Sequence, residues 1–84
     1  MKEGIMVCDI NAWRVWIGQK AYCVYEGMTI EIKFESNYLN FTLGKDYDNW
    51  FVDYRDAVTF ELCRLDVYKV RVATIELIED EDVF

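Results

Sequence analysis

The sequence predicts an all-β domain of about six to seven short antiparallel strands. They would form a small, partly open β-barrel, SH3-like in scale, or a compact sandwich. Three observations carry this expectation. Met28, Ile30, Ile32 and Phe34 alternate with Thr29, Glu31 and Lys33, the period of two that places one strand face inward and the other in water. Short breaks at Gly18-Gln19, Glu26-Gly27, Glu35-Ser36-Asn37 and Arg55-Asp56 fall at hairpin spacing. Hydrophobic residues make up 54% of the 84 and aromatics 17%, too many for a disordered chain and enough for one core.

The elements follow in order. Trp13-Arg14-Val15-Trp16-Ile17 reads as a strand with Trp13, Val15 and Ile17 inward, and Ala21 to Tyr25 as its hairpin partner. After Met28–Phe34, Leu39, Phe41 and Leu43 alternate with Tyr38, Asn40 and Thr42. Gly44 to Asn49 is the longest polar stretch and reads as the one real loop. Trp50 to Tyr54 and Ala57 to Cys63 read as strands. Asp56 as an N-cap would instead start a short helix bearing Val58, Leu62 and Leu65, but the β-branched and aromatic run Val58-Thr59-Phe60 favours the strand. Val67 to Val72 is a further strand with Tyr68, Val70 and Val72 inward. At Ala73 the phase flips, so that Ile75 and Leu77 continue on the other face through a bulge. The expected core is Val15, Ile30, Ile32, Leu39, Phe41, Val58, Phe60, Val70 and Val72. Residues 1–78 form the expected single domain and 79–84 an acidic, frayed tail.

Charge is distributed unevenly. Residues 1–45 hold five acids and five bases, whereas residues 46–84 hold eleven acids and four bases, so the whole net charge of −7 lies in the second half. An acidic pole repels phosphate and attracts basic surfaces, so direct nucleic-acid binding is not expected. Arg14 between Trp13 and Trp16 is the one arrangement of the basic-aromatic kind that stacks on single strands.

Most chemistry is excluded by missing residues. The chain has no histidine, which removes histidine-dependent triads and imidazole zinc sites. Cys8, Cys23 and Cys63 have no metal or redox spacing and read as small core thiols in a reducing cytoplasm. Asp46-Tyr47-Asp48-Asn49 opens like a calcium loop, but Phe51 stands where glycine is needed and Ala57 where glutamate is needed. The glycines are isolated, so no phosphate-cradling loop is present. We therefore expect neither enzyme activity nor a metal or cofactor. No apolar run approaches the length of a spanning helix, so no membrane association is expected.

What remains is the segment Asp46 to Asp56, which combines acids with large aromatics, the side chains of steered and anchored protein contacts. Asp46, Asp48, Asp53 and Asp56 are the candidate phosphate-like charges, with Tyr47 and Trp50 as anchors. Trp13-Arg14-Val15, Glu26-Gly27 with Ile30-Glu31-Ile32, Trp50-Phe51-Val52 and Tyr68-Lys69-Val70-Arg71-Val72 carry a resemblance. Over residues 4–72 the chain resembles a family of small single-domain β proteins of unknown function. Those proteins come from Gram-positive bacteria, their phages and conjugative elements. That pattern often has a basic residue within Leu39–Leu43 and a glycine where this chain has Asp66. The resemblance implies a compact β domain and a mobile-element setting, and assigns no activity.

Size and charge are similar in kind to inhibitors, the anti-CRISPR and anti-restriction types among them, that place carboxylates where phosphates would lie. The expected partner is the basic surface of a host nucleic-acid-processing protein. An adaptor or oligomerisation module, pairing through an edge strand, is the alternative, and self-association stays open.

Overall fold

The computed structural model describes residues 1–10 and 12–80. Among these residues, eight strands form one antiparallel sheet: β1 (Lys2–Asp9), β2 (Ala12–Ile17), β3 (Lys20–Cys23), β4 (Thr29–Phe34), β5 (Asn37–Asp46), β6 (Asn49–Tyr54), β7 (Val58–Glu61) and β8 (Tyr68–Val72). Their spatial order is β3-β2-β1-β8-β4-β5-β6-β7. The all-β expectation holds, with a single sheet and one strand more than the upper number expected. β1–β3 and β4–β7 are two meanders, and β8 returns to join them, pairing with β1 through Gly4↔Val70 and with β4 through Ile32↔Val70.

The sheet is curled but not closed, since β3 and β7 do not pair. Its curl is visible in the core. Trp13 of β2 packs in one cluster with Val52 of β6 and Leu62 beyond β7, strands far apart in sheet order. Met6, Val15, Met28, Ile30, Val70 and Val72 are fully buried there. Gly4 permits part of this bending. A Cβ on it would collide with the Trp16 carbonyl oxygen and lie 2.8 Å from Ile17 Cγ1.

Five expectations are corrected. β1 was not anticipated: Ile5 to Cys8 is a continuous apolar run, and only Met6 of it is fully buried. The polar stretch from Gly44 is not a loop. β5 runs on to Asp46 and turns over Tyr47 and Asp48 alone, because the hairpin end projects beyond the core and its polar side chains stand in water. Val58 and Phe60 are 45% and 50% exposed instead of buried, because β7 is the last strand of the sheet. There is no bulge at Ala73. β8 ends at Val72, and a single 3-10 turn over Thr74–Glu76 leaves Ile75 exposed while Leu77 packs on the core. Cys63 is exposed and so is not a core thiol, whereas Cys8 packs against the core.

The tail expected at 79–84 is attached where it is described. Glu79 bridges Tyr22, the Asp80 N–H donates to the Ala21 carbonyl at 2.9 Å, and the Cys23 N–H donates to that of Ile78 at 2.7 Å. The free edge of β3 is thereby covered by the chain itself. Residues 81–84 lie outside the described residues.

Candidate acidic limb

The limb β5–β6–β7 carries the six residues singled out in the sequence. Its faces are set by alternation: Phe41, Leu43 and Val52 point into the core, so Asn40, Thr42, Asp46, Asn49, Phe51, Asp53, Thr59 and Glu61 fall on the opposite, outer face. Phe51 lies across Gly44, its partner in the register. A glycine here leaves the space that the aromatic ring fills.

The structure separates the four aspartates. Asp46 and Asp53 share the outer face, with three residue rows between them. Asp48 lies in the turn, beside a hollow of about 440 Å³ that Trp13, Trp50, Leu62 and Arg64 also line. Asp56 lies in the opposite turn, one strand length away at about 20 Å. That turn is strained, since Arg55 and Asp56 both have positive φ, at 53° and 55°. Asp53 accepts a hydrogen bond from the Thr59 hydroxyl at 2.6 Å. Tyr47 stands at the hairpin tip, 90% exposed. Trp50 is half-buried and packs against the core, which makes it a fixed shelf and not a loose anchor.

Glu61 is the residue that sequence reasoning missed. The alternation of Val58 and Phe60 already sets Thr59 and Glu61 on the other face, so the signal was present. Glu61 lies on the row of Phe51 and diagonal to Asp53, about 8 Å away by strand spacing. Asp46, Asp53 and Glu61 are therefore the acids at the outer-face positions beside and diagonal to Phe51.

The limb's own cations do not neutralise these acids. Lys45 Nζ lies 5.5 Å from the Trp50 ring centre, and the Arg55 guanidinium 5.1 Å from that of Tyr54. Both are cation–π contacts. The ion pairs among the described residues lie elsewhere, at Arg14–Asp80 and Arg71–Glu31. The first bears on nucleic acid: Arg14, the candidate stacking cation, is held by Asp80 at 2.9 Å and reaches the Asp9 carbonyl. On the outer face Arg71 also covers the Tyr38 ring, 3.8 Å from its centre.

No group of three metal-ligating side chains converges among the described residues, and no helix there is long and apolar enough to cross a membrane. Two tyrosines have raised pKa values. Burial is the first cause for Tyr68, whose hydroxyl oxygen accepts the Cys63 N–H. Tyr25 is pushed up to about 12 by burial, then by its hydrogen bond to Glu76 and the charge of that carboxylate. No protein-family model, curated protein or solved structure matches the chain. The resemblance given above rests on its sequence motifs.

Proposed function

We propose that this chain is a non-catalytic protein-binding module whose acidic limb docks on a basic, nucleic-acid-binding surface and blocks it. In this reading it is an inhibitor of a host nucleic-acid-processing protein, carried by a phage or mobile element and acting in the cytoplasm. One observation carries the proposal. Asp46, Asp48, Asp53, Asp56 and Glu61 line one projecting limb, and none of them forms a salt bridge to a described residue, while Lys45 and Arg55 are turned onto aromatic rings. Unpaired carboxylates on one limb of a hydrogen-bonded sheet give a directed negative field, which speeds encounter with a basic channel. Tyr47 at the tip and the Trp50 shelf supply the aromatic contact.

The test is a reversal of Asp46, Asp48, Asp53 and Asp56 to lysine, compared with the parent in capture from bacterial lysate. The captured protein is then assayed for oligonucleotide binding. The parent should displace the oligonucleotide, with an affinity that falls steeply as salt rises, and the reversed chain should not. Equal capture by both chains at physiological salt ends the mimicry reading. Capture of a protein without nucleic-acid affinity points instead to the adaptor.

A further inference from the structure

The sheet has two ends, and the fold treats them differently. At β3 the chain lays Ile78–Asp80 along the outer edge and hydrogen-bonds to it. At β7 nothing among the described residues covers the edge. Uncovered edges are templates for another strand, and the groups that β7 offers can be named. The Leu62 N–H donates to the Trp50 carbonyl at 2.9 Å, so residues 62, 60 and 58 bond toward β6. By the alternation of antiparallel ladders, the N–H and C=O of Thr59 and Glu61 point away from it. Beside these four groups stand Val58 and Phe60, about half exposed on the concave side. Phe60 continues inward to Phe41, with ring centres 6.3 Å apart. On the outer side stand the carboxylates of Glu61 and Asp53.

We infer that the β7 edge accepts one extended partner segment whose residues alternate apolar and basic. This rests on the protein-binding reading above and names the segment that the limb would hold. An added strand must send alternate side chains to the two faces. Those on the concave side cover Val58 and Phe60, and those on the outer side meet Glu61 and Asp53. Charge selects against a second copy of this chain as the occupant. Pairing β7 with β7 would bring two such carboxylate sets together on molecules that each carry −7.

The probe is a capped seven-residue peptide alternating valine and lysine. Its control has the same sequence with every valine as the D-enantiomer, which keeps the charge and prevents strand formation. The all-L peptide should bind at least tenfold more tightly, and should slow amide exchange at Thr59 and Glu61 by at least tenfold. Thr59→Pro should abolish the difference between the peptides, since it blocks the edge while removing no backbone bond to β6, only the Thr59 hydroxyl bond to Asp53. Exchange on the unmodified chain decides the matter if that variant fails to fold. Equal binding of the two peptides overturns the inference, as does protection confined to other strands. Lysate capture that is lost on aspartate reversal yet survives Thr59→Pro also overturns it, while leaving electrostatic docking standing.

Discussion

Phe51 packs against Gly44, its cross-strand partner on the outer face of the limb, and occupies the space where a Cβ at residue 44 would stand. Gly44→Ala should therefore cost about 1–3 kcal/mol through overpacking. Phe51→Ala should recover most of that loss when combined with it, because the clash is between these two residues. Urea midpoints of the four chains of this cycle measure the coupling. Additive losses would show that the ring moves aside freely.

Burial should divide the alternating positions sharply. Ile30→Ala empties a fully buried site and should cost about 2–5 kcal/mol. Val58→Ala, at the exposed edge, should cost under about 1 kcal/mol. Chemical denaturation of the two variants decides it, and similar losses would place a covering layer over β7.

Alkaline pH should weaken the fold through Tyr25. Its hydroxyl is 2.8 Å from the Glu76 carbonyl oxygen and is also bonded to the Glu76 carboxylate, and its pKa is raised from 10.0 to about 12. The folded chain holds this proton where the unfolded chain has already lost it. Linkage then makes the contribution complete below pH 10 and lost progressively up to about 12. Absorbance titration at the tyrosinate band should show a late-ionising group, and Glu76→Gln should move it downward. Ionisation of all six tyrosines in one step near 10 would contradict this.

Deleting residues 79–84 should destabilise the domain, contrary to the behaviour of a frayed tail. The deletion removes the Asp80 N–H bond to Ala21 and the Arg14–Asp80 ion pair, whose side chains are mostly shielded at 18% and 16% exposure. Two such losses should total about 1–3 kcal/mol. The deletion also uncovers β3 at Ala21 and Tyr22, leaving only the Ile78 bond to Cys23, so sedimentation should detect concentration-dependent association absent from the parent.

Replacing Arg55 and Asp56 together with asparagine and glycine should raise stability by about 1 kcal/mol. Both positions have positive φ, which this pair tolerates and bulkier side chains do not. Thermal unfolding measures the gain. If the double variant also binds partner less well, the strain at Asp56 is retained for its charge.

Alternation made much of this architecture legible, and its failures have physical causes. The inward faces of β2, β4, β5, β6 and β8 follow from period-two patterning, and Val15, Ile30, Ile32, Phe41, Val70 and Val72 are buried as expected. Position within the sheet is a different matter. Val58 and Phe60 alternate as core residues do, but strand order depends on distant pairings that no local pattern encodes. The same holds at β1, where a continuous apolar run conceals a strand flanked on both sides by others. At the limb, residue types identified the acids, while their division between two turns and one face required the register. Arg14 and Asp80 are 66 positions apart, so their pairing left no mark in either neighbourhood.

The place of β8 has a consequence for how the chain is made. Synthesis runs from the N-terminus, and both meanders can form from neighbouring segments as they emerge. The strand that unites them is the last of the eight, and it enters at the middle of the sheet. Until Tyr68–Val72 leaves the ribosome, β1 and β4 each present an unsatisfied edge within a half-built core. Ribosome-bound chains ending before residue 68 should therefore be protease-sensitive and prone to chaperone capture, and resistance should arise abruptly once β8 is free to insert.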